Sequence, residues 1–191
     1  WLRFVLPLLV VSLLIGLLGL VGYRYLSEEI RRETHRTLAV IAEQKRQQVE
    51  HWVDQTRIDA ELYFHAHAQL PLLLSQWLEG GRQDASLVER MRVRMSELAR
   101  ERGWGGVSVL DTEGRLVFTV GEAALSPGDG AIQDIVARPR IETHDLHRDP
   151  TGRPAYGRLA PIGLPDAPSI GVAYLSWSAD TNLYPLVESW P

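Results

Sequence analysis

Cysteine is absent from all 191 residues of this chain. The absence excludes disulfides, thiolate metal sites and a cysteine nucleophile within the chain. An excess of basic charge is missing as well, because 20 Lys and Arg residues face 24 Asp and Glu residues, for a formal net charge of −4. Nucleic-acid binding usually shows itself as a basic patch, so we expect no nucleic-acid partner.

Motifs that carry enzyme chemistry are also missing. The chain has no Gly-x-Ser-x-Gly, no phosphate loop and no Gly-x-Gly-x-x-Gly. His65 and His67 lie two apart on a predicted helix and so point to different sides. Of His144, Asp145 and His147, at most the last two are expected to share a face, because alternate strand residues face opposite ways. We therefore predict no metal, no cofactor and no enzymatic activity for this chain.

An uncharged run extends from Phe4 to Tyr23. A helix of about 20 apolar residues crosses the hydrocarbon core of a membrane, so residues 1–23 are interpreted as a transmembrane helix. A cleaved signal peptide is the alternative, but it would need a shorter apolar run and a small-x-small cleavage site. Because the chain begins at Trp1 and ends at Pro191, we expect both ends to be cut from a longer protein.

The basic residues around this run favour a cytoplasmic position for the residues after Tyr23. Arg3 alone precedes the run, whereas four arginines lie shortly after it: Arg24, Arg31, Arg32 and Arg36. Cationic residues collect on the cytoplasmic side of a membrane, although the rule is a bias and acidic residues are interspersed here.

Residues 24–70 are predicted to form one long amphipathic helix. No Gly or Pro interrupts the stretch from Ser27 to Leu70, and apolar residues recur at helical spacing, as at Ile41, Val49 and Trp52. Steps of three and four resemble an interrupted heptad seam, which predicts a homodimer through this helix. Pro71 is expected to end or kink the helix, because proline lacks a backbone N–H.

Residues 71–191 are predicted to form a domain of the α+β class. Ser86 and Glu89 have the spacing of a capping box that starts a helix, and Gly103 is placed to end it. The apolar period then changes to two, and Asp111 to Gly114 form a turn. Five strands with short connections predict an antiparallel sheet with helices packed on one face. The predicted strands include residues 107–109, 116–120, 140–147, 155–162 and 169–176.

This order of elements resembles the Cache (PAS-like) extracellular sensor fold over Leu38 to Pro191. Two segments, residues 41–53 and 182–191, are similar to sensor regions of bacterial membrane histidine kinases and diguanylate cyclases. The resemblance implies a periplasmic sensor domain at the bacterial inner membrane, against the arginine distribution. It also implies that an output domain lies beyond this chain.

The resemblance further implies a small-molecule pocket between the sheet and the loops over it. An arginine would grip a carboxylate, an aspartate would receive an ammonium group, and aromatic rings would supply an apolar wall. Amino-acid sensors of this family carry an Arg-x-Trp-Tyr run where this chain has residues 138–141, which argues against amino-acid recognition. The candidate ligand-binding residues are Arg115, Thr143, Asp145, Tyr156, Arg158 and Tyr174.

The predicted function is therefore the extracytoplasmic input domain of a membrane-bound sensor histidine kinase. The input domain of a diguanylate cyclase or chemoreceptor is an alternative within the same class. A membrane-anchored interaction module that senses nothing small is an alternative from another class. A cytoplasmic PAS-like domain is the third alternative, and the arginine distribution favours it.

Overall fold

The computed structural model describes residues 2–66, 69–122, 129–149, 151–163 and 167–188. The chain divides into two compact units, Trp1–Gln47 and Gln48–Pro191. Helix α1 (Leu2–Glu61) supplies the described part of the first unit. In the described ranges, no helix is both long and apolar enough to cross a membrane, so the predicted transmembrane helix over residues 1–23 is not confirmed.

The long helix ends earlier than predicted. Helix α1 ends at Glu61, a π-helical turn follows over Leu62–Ala66, and helix α2 occupies Gln69–Glu79. Pro71 lies in the first turn of α2, where a backbone N–H has no partner within the helix, so proline is accommodated there. The predicted end or kink of the long helix at Pro71 is therefore misplaced, because α1 ends at Glu61 and Pro71 lies within α2. His67, and with it the predicted opposition of His65 and His67, lies outside the described residues.

Helix α3 (Ala85–Arg102) begins on a different cap from the predicted one. Asp84 is the N-cap, and its Oδ1 accepts hydrogen bonds from the backbone N–H groups of Ser86 at 2.9 Å and Leu87 at 3.3 Å. Ser86 donates its hydroxyl to the same carboxylate oxygen instead of capping the helix itself. The predicted stop at Gly103 is confirmed, because this residue has the left-handed φ of 67° that glycine adopts without strain.

The second unit contains a five-stranded antiparallel sheet with the strand order β2-β1-β5-β4-β3. The α+β class and the predicted antiparallel sheet are confirmed. The strands are β1 (Gly106–Asp111), β2 (Leu116–Gly121), β3 (Glu142–Arg148), β4 (Pro154–Ile162) and β5 (Gly171–Ser178). The remaining helices are α4 (Asp129–Ala137), α5 (Ala179–Asn182) and α6 (Tyr184–Glu188).

The two faces of the sheet have different coverings. The long-helix face packs against the end of α1, the π-helical turn, α2 and α3, and it buries the larger core, including Phe64, Met91 and Leu175. The α4 face packs against α4 and buries a smaller core, including Ile135 and Leu159. Because consecutive strand residues point to opposite faces, neighbours in β4 and β5 serve different cores.

Candidate functional site

The six predicted site residues do not form one pocket. Arg115 lies at the turn between β1 and β2, and Asp145 is exposed on the edge strand β3. The other four lie on strands of the sheet too, but on different faces. Thr143, Tyr156 and Arg158 lie on the long-helix face, and Tyr174 lies on the α4 face.

Arg115 stabilises the turn beside it. Its Nε donates to Oδ2 of Asp111 at 2.9 Å, and its guanidinium also pairs with Glu113. The other carboxylate oxygen of Asp111 accepts the backbone N–H groups of Glu113 and Arg115, each at 2.9 Å. Asp111 is only 2% exposed, so the arginine satisfies a buried carboxylate. In this structure Arg115 is a turn residue.

Arg158 joins the sheet to the long helix. Arg158 is 4% exposed, and its guanidinium makes three hydrogen bonds, one from each nitrogen. Nε donates to Oγ1 of Thr56 at 2.8 Å and Nη2 donates to the carbonyl oxygen of Val53 at 2.8 Å, both on α1. Nη1 donates to Oγ1 of Thr143 at 2.9 Å, on the neighbouring strand β3.

The acceptors of Arg158 are neutral, and no ion pair to it is formed within the described residues. Burial lowers the pKa of Arg158 from its ordinary value, because a charge loses hydration there. The centroid of the Tyr156 ring lies 5.7 Å from Cζ of Arg158. The same ring packs on Trp52 of α1 at a centroid distance of 5.1 Å. We call Arg158, Thr56, Val53 and Thr143 the arginine joint.

Tyr174 spans the α4 face from β5 to β3. It is 1% exposed, and its ring lies directly over Gly157 of β4, where an added Cβ would come within 2.4 Å of a ring carbon. The phenol oxygen is 3.0 Å from Nε2 of His147. Glycine in the interior of a strand is typical of such close approach, so Gly157 is what allows Tyr174 to reach His147.

The hydrogen bonds of His147 fix the direction of its contact with Tyr174. Nδ1 lies 2.8 Å from the carbonyl oxygen of Asp145, which can only accept, so Nδ1 carries the proton. In the tautomer that carries its proton on Nδ1 alone, Nε2 accepts and Tyr174 donates its hydroxyl. Burial raises the pKa of Tyr174, which keeps the phenol protonated for this role.

A β-bulge in β3 brings His144 beside His147. His144 pairs with Gly157 and His147 with Ala155, so two residues separate the histidines on β3 where one separates their partners on β4. Their rings stack at a centroid distance of 4.0 Å and an angle of 7°. The prediction that these histidines face opposite ways is therefore wrong, because the bulge interrupts the alternation. His144, His147 and Tyr174 are called the histidine–tyrosine cluster.

One nitrogen of this cluster has no partner. Nδ1 of His144 is buried and makes no hydrogen bond within the described part of the chain. Burial, and after it the neighbouring His147, lowers the pKa of His144, which favours the neutral ring. Buried polar atoms are nearly always hydrogen-bonded in folded proteins, so this imidazole nitrogen is an exception that needs an explanation.

A small depression adjoins the cluster. Its volume is about 20 Å³, enough for one group the size of a water molecule. Arg153 lies at the rim, where it pairs with Glu122 and, at 3.7 Å, with Asp149. The hydroxyl of Thr151 is the main cause that lowers the pKa of Asp149. The depression is lined by Gly105, Glu122, His147, Asp149, Ala155, Tyr174, Ser176, Trp177 and Ser178.

Metal binding finds no support at this place. In the ranges that the structure describes, no three His, Asp or Glu side chains are grouped so that they could hold a metal ion. The cluster offers hydrogen-bonding groups instead. Of its members, sequence reasoning selected only Tyr174, although glycine at 157 in a buried strand was an available indication of a close contact.

No family model matches this chain, and no curated protein matches it. Solved structures match it in fold. The extracellular domain of the histidine kinase vpHK1S-Z8 is 16% identical, with a TM-score of 0.52, over 71% of this chain and 54% of that one. The ligand-binding domain of chemoreceptor Tlp3 from Campylobacter jejuni, in complex with L-norvaline, is 11% identical, with a TM-score of 0.55, over 77% and 59%.

A third solved structure is the ligand-binding domain of the Pseudomonas aeruginosa amino acid chemoreceptor PctC in complex with GABA. It is 17% identical, with a TM-score of 0.50, over 78% of this chain and 62% of that one. The chain therefore spans about 54 to 62% of the length of these three structures. At such identities the likeness is one of fold, and the predicted resemblance to the fold of extracellular sensor domains is confirmed.

Proposed function

We propose that this chain is the ligand-sensing input domain of a bacterial signalling protein. We further propose that its ligand binds on the α4 face, against the histidine–tyrosine cluster. The observation that carries the proposal is the buried Nδ1 of His144, which lacks a partner beside two groups held in fixed orientation. The Tlp3 and PctC domains, which have the same fold, were solved with small molecules bound.

The ligand would be small and polar. His144 offers a neutral imidazole nitrogen, Tyr174 and His147 offer a preset hydrogen-bond pair, and the rim carries charges of both signs. The present depression holds only a water-sized group, so binding of anything larger requires α4 or the rim to move. A ligand that favours the opened arrangement would shift the population of the domain, which is what a sensor requires.

The arginine joint offers a route from this face to α1. Leu159 pairs with Tyr174 across the strands, and the preceding residue, Arg158, bonds to α1. Displacement of β4 by a ligand on the α4 face would therefore act on the acceptors in α1. This coupling is part of the proposal.

The wider setting of the domain is proposed from its fold and its sequence. The shared fold supports an extracytoplasmic location, and a histidine kinase output domain would lie outside this chain. Membrane anchoring through residues 1–23, a homodimer through residues 24–70 and a sensor domain over residues 71–191 stay predictions from the sequence.

A thermal-shift screen tests the function. The 191-residue chain is heated with amino acids, carboxylates, amines and sugars, and each compound that raises Tm is titrated by calorimetry. We expect a compound whose affinity falls about tenfold or more in His144→Ala, since a buried hydrogen bond is lost. His51→Ala, which removes an exposed histidine of α1, is the matched control and should bind normally.

Two results would contradict the proposal. One is a screen without a stabilising compound combined with saturable binding of a protein partner, which would support the interaction module. The other is a ligand whose affinity is the same in His144→Ala, Tyr174→Phe and the unaltered chain, which would remove the histidine–tyrosine cluster from the site.

A further inference from the structure

A cavity of ligand size lies on the long-helix face. Its volume is about 340 Å³, within the range of small-molecule pockets, whereas the depression at the histidine–tyrosine cluster has about 20 Å³. The cavity lies between the last turn of α1, the entry to β3 and the later part of β4. It exists because the side chains that meet there, Ala60 and Ala160, are short; both are fully buried.

Five of the eight residues that line this cavity are apolar, and the other three, Arg57, Glu61 and Arg140, are charged. Ala60 and Ala160 belong to the core of the long-helix face, and Ile141 packs against the same core while half-buried. Pro139 and Pro161 complete the wall and bring no backbone N–H donor with them. A ligand held here would place an apolar body against these residues.

Two arginines, Arg57 and Arg140, line the cavity and have N–H groups that their ion pairs do not use. Arg57 contacts Glu61 through Nη1 at 3.5 Å, and both side chains are more than half exposed. Arg140 uses Nη2 for Asp134, at 2.6 Å, and for Glu142. Within the described residues, Nε and Nη2 of Arg57 and Nε and Nη1 of Arg140 make no hydrogen bond.

We propose that this cavity binds a small carboxylate with an apolar body. The apolar body would fill the space above the two alanines, and the carboxylate would accept hydrogen bonds from the unused donors of Arg57 and Arg140. Guanidinium groups recognise carboxylates in this manner, with charge-assisted bonds of fixed geometry. The site is separate from the histidine–tyrosine cluster and does not depend on the function proposed for it.

Such a ligand would touch the helix directly. Arg57, Ala60 and Glu61 belong to α1, whereas Arg140 is tied to α4 through Asp134 and to β3 through Glu142. A carboxylate between the two arginines would bridge α1 to the edge of the sheet. Its binding would favour the arrangement in which the two guanidinium groups converge.

Calorimetric titration of the 191-residue chain with phenylacetate tests the proposal. Phenylacetamide, which has nearly the same shape and no charge, should bind about tenfold more weakly or worse. Arg57→Gln and Arg140→Gln should each weaken phenylacetate about tenfold, because each removes a charged donor. Arg148→Gln, on the exposed edge strand β3 and bonded to the carbonyl of Gly152, is the matched control and should leave affinity unchanged.

A filling variant tests the position without changing charge. Ile141→Trp should occupy the cavity and abolish phenylacetate binding while the circular dichroism spectrum of the chain is retained. Tyr174→Phe should leave phenylacetate binding unchanged, which separates this site from the sensor site. The proposal is overturned if phenylacetate does not bind below about 10 mM, if the amide binds equally well, or if binding survives both arginine variants.

Discussion

The two faces of the sheet differ in how completely their buried polar groups are hydrogen-bonded. On the long-helix face, Arg158 and Asp59 are buried charges, and each is bonded to other residues of the protein. Asp59 accepts from Gln55 at 3.2 Å and from the indole of Trp104 at 3.5 Å. On the α4 face, the buried Nδ1 of His144 makes no hydrogen bond within the part of the chain that the structure describes. A satisfied network favours one arrangement, whereas an unpaired group can gain a partner.

The strongest test of this contrast is Arg158→Ala. It removes three hydrogen bonds and leaves the buried hydroxyl of Thr56 without its donor, so the free energy of unfolding should fall by about 3 kcal/mol. Urea unfolding followed by circular dichroism measures the loss. Arg90→Ala, on the exposed side of α3, should change stability by about 0.5 kcal/mol or less. Equal losses for the two variants would show that the arginine joint does not stabilise the domain.

On the α4 face, the largest effect is expected from Gly157→Ala. The new Cβ would lie within 2.4 Å of the ring of Tyr174, so the ring must move and its bond to His147 should break. Overpacking of this kind costs about 1–3 kcal/mol. At Gly163 an added Cβ has no neighbour closer than 3.5 Å, so Gly163→Ala is the control and should cost less in urea unfolding. A larger loss of unfolding free energy in Gly163→Ala than in Gly157→Ala would contradict the position of Tyr174.

Tyr174→Phe isolates one hydrogen bond on the α4 face. The ring remains over Gly157, but His147 loses its donor, and the free energy of unfolding should fall by about 1 kcal/mol. Tyr184→Phe, a partly buried tyrosine of α6, should have a smaller effect. Nuclear magnetic resonance of the imidazole nitrogens should show a changed Nε2 environment for His147 in Tyr174→Phe alone. An unchanged resonance would rule out the assigned bond.

The smallest expected effect concerns pH. Burial and His147 lower the pKa of His144 below its ordinary value of 6.5, so the unfolded chain takes up this proton first as pH falls. Stability should therefore be fully present above about pH 6.5 and decline below it, until native His144 also becomes protonated. Urea unfolding between pH 8 and 5 should show a shallower decline in His144→Gln than in the unaltered chain. His51→Gln should keep the pH dependence of the unaltered chain. The same pH dependence in His144→Gln, His51→Gln and the unaltered chain would contradict the lowered pKa of His144.

Local patterns predicted the fold because its signals are local. Alternation identified the strands, and the turn at Gly114 was predictable because glycine can adopt the φ of 79° found there. Pro71 misled the prediction because proline fits the first turn of a helix as readily as it ends one. The π-helical turn before α2 has no comparable mark in the sequence.

The candidate site was harder to predict because its contacts are distant in sequence. Arg158 and Thr56 are 102 residues apart, and no local spacing indicates that the arginine bonds to the helix. The stacking of His144 on His147 depends on a bulge, which inserts one residue without a fixed composition. Tyr174 was selected as an aromatic wall, but the assumption of regular alternation separated His144 from His147, so their stacked pair was not predicted.

Gly157 and Arg158 are neighbours in β4, yet one lies beneath Tyr174 and the other bonds to α1. Deletion or insertion of a single residue early in β4 would exchange their faces, placing a guanidinium beneath a tyrosine ring and a glycine against the helix. Strand β3 already accommodates one extra residue at its bulge. Related proteins should therefore vary in length within β3 or at its ends, and keep the length of β4 constant.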